Sequence, residues 1–266
     1  MHFIDGKKIS ENILKDIKKQ IKLNGLEPWL AVILVGDDPA SGIYVKLKEK
    51  RSQEVGIRVQ KFFLPKIVKE KELLEIIDFL NRNSKINGIL VQLPLPNHLT
   101  TDKIIKKINP DKDIDGFLHS SNFDPPFILA IWRSIQATKI NLKNKKIVAL
   151  VNSKIFGNKL QDFFKEKEIK INYFLNKKNN LNKLKQADIV ITACGKPDLI
   201  NSSHIKDGAI LIDGGVSKRN GEVRGDINKE NVAGKAAWLT PVPGGTGPLT
   251  IAFLLKNVLK SYKLSS

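Results

Sequence analysis

Tyr44 and Lys48 in Y-V-K-L-K stand four residues apart, so on a helix the phenol and the ammonium share one face about a turn apart. A lysine among polar groups in a cleft has its pKa lowered and can move protons. Lys46 and Lys50 flank Lys48, so a solvated helix face is the plain alternative. Gln92 ends the apolar run of V-Q-L-P-L-P, where a parallel sheet presents its functional side chains, and two prolines fix the backbone beyond it. A Gln there can also merely cap the strand. In D-K-D-I-D-G-F at 111–117, Asp113 and Asp115 have no His or further carboxylate at the spacing of an ion-binding loop, so no metal is expected. A single Asp there can instead accept two parallel hydrogen bonds from an amino-heterocycle. The most specific stretch is T-P-V-P-G-G-T-G-P-L-T at 240–250. Its prolines and glycines make a rigid loop with exposed N–H groups, able to approach a flat ligand and, at the helix start, an anion.

Alternating helices and strands must position these residues. Ile9, Ile13, Ile17 and Ile21, with Leu14, form a stripe at helical spacing, with Ser10 the expected N-cap and Gly25 the stop. W-L-A-V-I-L-V-G at 29–36 suits a buried parallel strand. A helix is expected over about 40–55, a strand at 58–63, a helix burying Leu73, Leu74, Ile77 and Leu80, and a strand at 86–92. The chain breaks at F-D-P-P, 123–126, and the pattern restarts with strands at 145–151, 169–175, 188–193 and 209–213. The run 249–262 is helical and returns to the first domain. Such alternation implies βαβ units with parallel sheets, hence two α/β domains joined near 118–125 with a cleft between them for cofactor and substrate.

The 266 residues suffice for that architecture, and 41% hydrophobic with 27% charged residues excludes a disordered chain. The net charge of +18 admits nucleic acid, an anionic membrane or an acidic small molecule as partner. Only six of the 45 basic residues are Arg, the preferred reader of phosphates and bases, so a compositional habit explains most of the excess. The single Cys194 permits no intramolecular disulfide and fits a reducing compartment. No apolar run approaches the roughly 20 residues that span a bilayer. The first residues carry no signal-peptide core. A soluble, cytoplasmic protein is expected.

Five stretches, V-G-D-D-P-A-S-G-I-Y-V-K-L-K, V-Q-L-P-L-P, N-P-D-K-D-I-D-G-F, A-D-I-V-I-T-A-C-G-K-P-D-L-I and P-V-P-G-G-T-G-P-L-T, together resemble the bifunctional methylenetetrahydrofolate dehydrogenase/methenyltetrahydrofolate cyclohydrolase family in order and spacing. The resemblance covers essentially the whole chain. It implies oxidation of 5,10-methylenetetrahydrofolate with NADP or NAD, hydrolysis of the methenyl product to 10-formyltetrahydrofolate, a homodimer, and a place in one-carbon metabolism and purine biosynthesis. It implies a folate-binding catalytic βαβ domain over 1–120, completed by a C-terminal helix over 248–266, and a Rossmann-like dinucleotide-binding domain over 121–247. By that resemblance Lys48 is the central catalytic residue of hydrolysis. Tyr44 orients the folate, Gln92 hydrogen-bonds and tunes Lys48, Asp115 grips the pterin, and Pro243, Gly244 and Gly245 line the pterin pocket.

The nucleotide half departs further from the family's pattern. A turn that normally reads G-R/A-S-x-x-V-G is V-N-S-K-I-F-G at 151–157, placing Val151, Asn152 and Ser153 at the cofactor. Without that first glycine the backbone approaches a pyrophosphate less closely. The usual P-C-T-P-x-G linker is P-P-F-I-L-A at 125–130, and I-D-V-G-I-N is I-D-G-G-V-S at 212–217. Gly195 and Val216 complete the implied cofactor contacts. L-N-K-K-N-N at 175–180 offers no carboxylate for an NAD ribose, whereas Lys177 or Lys178 can neutralise a 2′-phosphate. NADP is therefore expected, with NAD the alternative. Two rival readings stand beside the bifunctional enzyme: a cyclohydrolase with weakened or lost dehydrogenase activity, and a basic nucleic-acid-binding protein on this scaffold, disfavoured by the joint presence of Tyr44, Lys48, Gln92 and Asp115.

Overall fold

A computed structural model describes every residue except Asn220 and Ser266, and every side chain except, in addition, those of Pro39, Ala40 and Lys218. The chain opens with β1 (His2–Phe3), α1 (Gly6–Leu23), β2 (Trp29–Val35), α2 (Pro39–Val55), β3 (Arg58–Leu64), α3 (Glu70–Arg82), β4 (Gly88–Val91) and α4 (Thr101–Lys106). It continues with α5 (Pro126–Ala137), β5 (Ile147–Val151), α6 (Lys154–Lys165), β6 (Ile171–Leu175), β7 (Ile189–Ala193) and β8 (Ile210–Asp213). A short hairpin of β9 (Ser217–Arg219) and β10 (Glu222–Arg224), then α7 (Lys229–Val232), β11 (Trp238–Leu239) and α8 (Thr246–Ser265), complete it. Two compact units result: residues 10–126 with 251–266, and residues 1–9 with 127–250.

The first unit is built on a parallel sheet in the order β3-β2-β4. Successive side chains of a strand point to opposite faces, and here both faces are apolar. Leu30, Val32 and Leu34 of β2 pack with Leu14, Ile17 and Ile21 of α1 and with Ile251, Leu254, Leu255 and Val258 of α8. Ala31, Ile33 and Val35, with Ile89 and Val91 of β4, pack on Leu73, Ile77 and Leu80 of α3 and on Ile104 and Ile105 of α4. A near-continuous apolar run such as W-L-A-V-I-L-V is thus the signature of a strand covered on both sides.

The second unit carries a six-stranded, wholly parallel sheet in the order β1-β11-β8-β7-β5-β6. Ile147, Ala149, Val151, Ile189, Ile191, Ile210 and Ile212 face Ile128, Ile131 and Ile135 of α5 and Leu160, Phe163 and Phe164 of α6. Val148, Leu150, Val190 and Leu211 face the other layer, around Leu184, Ile200, Ile205 and Val232. From β5 the chain passes to β6 on one side and then to β7 on the other. The C-terminal ends of β5 and β7 therefore flank the reversal of strand order where open α/β sheets bind ligands.

The α/β class and the parallel sheets agree with the sequence reading. The N-terminus differs. The first helix starts at Gly6, not at a Ser10 cap: the Asp5 carboxylate accepts the Lys8 N–H at 2.8 Å, and Ser10 is buried inside the helix. Residues 1–9 belong to the six-stranded unit, because β1 pairs with β11 in parallel. Ser266, the last residue of the expected C-terminal helix, lies outside the described residues.

Candidate active site

The Asp38 side chain accepts the Ser41 N–H at 2.7 Å, capping α2 one turn before Tyr44, and Gly56 closes the helix in the left-handed conformation that favours glycine. Lys48 follows Tyr44 by one turn, and its own carbonyl accepts from the Ser52 hydroxyl at 2.8 Å. Gln92 comes directly after β4, and its N–H still pairs with the Ile33 carbonyl at 2.9 Å. The Gln92 Nε2 donates to the Leu93 carbonyl at 2.7 Å, which leaves Oε1 to accept from Lys48 Nζ at 3.0 Å. A helix and a strand end thus hold the pair between them, 44 residues apart in the chain.

Asp115 completes this cluster electrostatically. Burial lowers the Lys48 pKa, favouring the neutral amine, while the nearby Asp115 carboxylate opposes that shift. Burial pushes Asp115 up to about 6; Lys48 pulls it down and Asp113 adds to the rise. Burial also raises the Tyr44 phenol. The two aspartates divide their work. Asp113 is fully buried and its carboxylate accepts the Leu118 N–H at 2.8 Å, shaping the turn. Gly116 adopts φ +65° in that turn, and a Cβ there would crowd the Phe123 carbonyl. Asp115 is left half-buried near an amine whose pKa burial lowers, an arrangement suited to proton transfer.

In the six-stranded unit, Asn152, Ser153, Lys177, Gly195 and Val216 all follow the C-terminal ends of β5, β6, β7 and β8, so one sheet edge carries them. All five are exposed. Ser153 caps α6, its hydroxyl accepting the Phe156 N–H at 3.3 Å. Asn152, where the pattern has Arg or Ala, uses its amide as a clasp: Nδ2 donates to the Cys194 carbonyl and Oδ1 accepts from Asn176 at 3.2 Å. Val151 is different. Its side chain is buried in the core, so only its backbone borders the edge. Gly195 has φ +62° and open space where a Cβ would stand. A Cβ on Gly157 would overlap the Tyr173 ring, the close helix–strand approach of nucleotide-binding βαβ units. Exposed lysines 177 and 178, a capped helix N-terminus and no carboxylate after β6 together fit a phosphorylated dinucleotide.

Two departures from the family's pattern prove to be one. A Cβ on Gly214, where the pattern has Val, would overlap the Phe127 ring, and Phe127 stacks on Phe156 with centroids 5.2 Å apart. The phenylalanine brought in by the altered linker fills the volume that the missing side chain leaves. The 240–246 loop is anchored in the same unit. The Thr240 hydroxyl accepts the Asp213 N–H at 2.7 Å, and the Thr246 hydroxyl donates to the Asp213 carbonyl at 2.9 Å. Gly244 has φ +107° and its carbonyl accepts the Lys7 N–H at 2.9 Å. Pro243 is exposed, Gly244 half-buried and Gly245 buried.

Sequence reasoning overlooked Asp213 and Asp226. Both are buried, at 2% and 0% exposure, beneath the loops that carry Gly195 and Val216. Burial pushes Asp213 up to about 7, backbone N–H donors pull it down, and Asp226 adds to the rise. Burial likewise raises Asp226. The available signal was an acid ending the apolar strand I-L-I-D and a second acid in R-G-D-I, each beside a glycine. Cys194 is buried with its thiol pushed up to about 12 by burial first, which makes it inert. Among the described residues no group of three or more His, Cys, Asp or Glu is placed to hold a metal.

Comparison with known proteins bears directly on these two clusters. Residues 4–115 match the family model described as "Tetrahydrofolate dehydrogenase/cyclohydrolase, catalytic domain", and residues 125–266 match its "NAD(P)-binding domain". The "Bifunctional protein FolD" of Nautilia profundicola is 42% identical over 278 residues, covering 99% of this chain and 98% of that protein. The crystal structure of the bifunctional FolD methylenetetrahydrofolate dehydrogenase/cyclohydrolase from Campylobacter jejuni superposes with a TM-score of 0.91 at 36% identity, covering 99% of both chains. The Trypanosoma brucei FolD, complexed with NADP cofactor and inhibitor, gives a TM-score of 0.91 at 28% identity over 98% of this chain and 97% of that one.

Proposed function

The chain belongs to the tetrahydrofolate dehydrogenase/cyclohydrolase family, and from that premise we propose how its residues perform the two reactions of a bifunctional enzyme of one-carbon folate metabolism. It oxidises 5,10-methylenetetrahydrofolate to the 5,10-methenyl cation and hydrolyses that cation to 10-formyltetrahydrofolate. The observation that carries the reading is the 3.0 Å hydrogen bond between Lys48 Nζ and Gln92 Oε1, made by an amine whose pKa burial lowers.

In hydrolysis, the oxygen of water bonds to the bridging carbon of the cation and one water proton passes to the neutral Lys48 amine. The second proton moves to N5 of the folate as the carbon–N5 bond breaks, so one proton is released per substrate cation. Gln92 holds the Lys48 ammonium formed in the step through Oε1. Asp115 accepts two hydrogen bonds from the pterin amino group and ring N–H, and Tyr44 packs on and orients the folate. By the family resemblance Pro243 and Gly244 border the pterin, and Gly245 is buried in the same loop.

NADP supplies the hydride acceptor for the oxidation when bound. Asn152 and Ser153 border its phosphates at the start of α6, and Lys177 neutralises the 2′-phosphate. Gly195 and Val216 border the remainder of the dinucleotide. The relative crystallised with NADP supports this choice over NAD, as does the lack of a carboxylate after β6. We further propose that the enzyme is a homodimer, following the family resemblance. It works in the cytoplasm, in keeping with its lone cysteine, and its 10-formyl product feeds purine biosynthesis.

The test is a spectrophotometric assay with methylenetetrahydrofolate and NADP or NAD. The methenyl product should form faster with NADP and then decay. Product formation that prefers NAD contradicts the cofactor assignment. No product with either dinucleotide, alongside decay of added methenyltetrahydrofolate, reduces the enzyme to a cyclohydrolase.

A further inference from the structure

Asp213 ends β8 and Asp226 lies 13 residues later, beyond the β9–β10 hairpin. Their carboxylates form one network of backbone contacts. The Asp226 oxygens accept the N–H groups on either side of Gly195, from Cys194 at 2.7 Å and Lys196 at 2.8 Å. The Asp213 oxygens accept from Gly215 at 2.9 Å, Asp226 at 3.1 Å, Ile227 at 2.9 Å and the Thr192 hydroxyl at 3.2 Å. The geometry therefore runs in series: Asp213 fixes the backbone of Asp226, and the Asp226 side chain fixes the turn at Gly195. The adjoining glycines serve the same pair. A Cβ on Gly215 would overlap the Asp226 carboxylate, and one on Gly225 would overlap that of Asp213.

Two carboxylates almost wholly removed from water are an expensive way to tie a loop, since burying a charge costs far more than burying an apolar side chain. The loops they tie, at 194–196 and 215–216, lie at the C-terminal ends of β7 and β8, on the sheet edge that also carries Asn152, Ser153 and Lys177. We propose that Asp213 and Asp226 are positioning residues for the dinucleotide. They hold the Gly195 turn and the segment before Val216 in the conformation that receives it. The proposal rests on the dinucleotide-binding reading of this sheet edge.

Asp226→Asn is the informative change. Both oxygens accept from N–H groups, so the amide necessarily turns an NH2 toward one of them at nearly unchanged volume. Thr192→Val removes one donor to Asp213 and perturbs the same network more gently. Calorimetric titration of the folate-free enzymes with NADP gives the binding constant without turnover. The Kd should rise about tenfold in Asp226→Asn, the factor expected for roughly one lost charge-assisted hydrogen bond, and less in Thr192→Val. The KM for NADP should rise in step while the KM for methylenetetrahydrofolate holds. Hydrolysis of added methenyltetrahydrofolate should stay within about twofold, since Lys48 and Gln92 belong to the other unit. If Asp226→Asn fails to hydrolyse, Thr192→Val decides. A lowered melting temperature with an unchanged NADP Kd in the folded variants overturns the proposal and leaves the pair a structural device. A wild type that hydrolyses but binds no NADP contradicts instead the reading on which it rests.

Discussion

Burial and a neighbouring carboxylate pull Lys48 in opposite directions, and the balance sets its use as a base. Desolvation lowers its pKa, so the amine is populated at lower pH than for an exposed lysine, and hydrolysis should gain rate with rising pH until that titration is complete. Asp115 titrates at about 6 because burial disfavours its charge. As pH falls through that value it loses the two-oxygen acceptor that would hold a pterin, so the KM for folate should climb between pH 7 and pH 5. Asp115→Asn should flatten that climb while raising KM at pH 7. The linkage has a definite sign. A carboxyl whose folded pKa is raised binds its proton more tightly in the folded state, so its contribution to stability falls as pH rises from about 4 toward 6. Removing this charge should therefore stabilise the fold at pH 7 by about 1 kcal/mol after discounting for its partial exposure, read as a raised melting temperature. A lower melting temperature in Asp115→Asn would show that the Lys48–Asp115 attraction outweighs the burial cost. The residues alone offered Lys48 by helix spacing, Gln92 by its strand end and Asp115 by its turn, with a solvated helix face and a strand cap as plain alternatives. Their roles came with the family resemblance. Asp213 and Asp226 were not legible in the sequence, because their relation exists only once β7, β8 and the β9–β10 hairpin are assembled.

Helices and loops position these groups through a few tight contacts. Gly157 lets α6 approach β6, and a methyl group there would press on the Tyr173 ring. Gly157→Ala should cost about 1–3 kcal/mol, read as a lower denaturant midpoint at unchanged slope. Gly214 and Phe127 form a coupled pair of the same kind. Gly214→Ala should destabilise by a similar amount, and adding Phe127→Leu should recover part of the loss, because contacting residues couple by about 0.5–3 kcal/mol in a double-mutant cycle. Strict additivity would dissociate the two substitutions. Periodicity and apolar runs located the long elements to within a few residues, since β2, β5, β7 and β8 are buried on both faces and α1 and α3 carry single apolar stripes. The N-terminal segment escaped that logic. A two-residue strand has no period, and the cap at Asp5 is a single side-chain contact that a Ser near the same stripe mimics.

Over the whole molecule, the charge of +18 gains a narrower meaning. Folates end in carboxylates and NADP carries phosphates, so a positive field aids both without identifying either. Among the described residues no helix is long and apolar enough to cross a membrane. Charge attraction between solvated groups is screened within about 8–10 Å at ordinary ionic strength, so raising salt should lift the KM for NADP with little change in kcat. A KM insensitive to salt would make the lysine excess compositional. The central claim is that Lys48 performs hydrolysis in a bifunctional enzyme whose oxidation step is carried by other residues, and following methenyltetrahydrofolate absorbance in Lys48→Met beside the wild type tests it most directly. The wild type should form the methenyl product from methylenetetrahydrofolate and NADP and then consume it. The variant, folded by its melting curve, should form it and let it accumulate, its hydrolysis slowed by about 10²–10⁴-fold as for a lost acid–base group. Decay in the variant as fast as in the wild type would contradict the account.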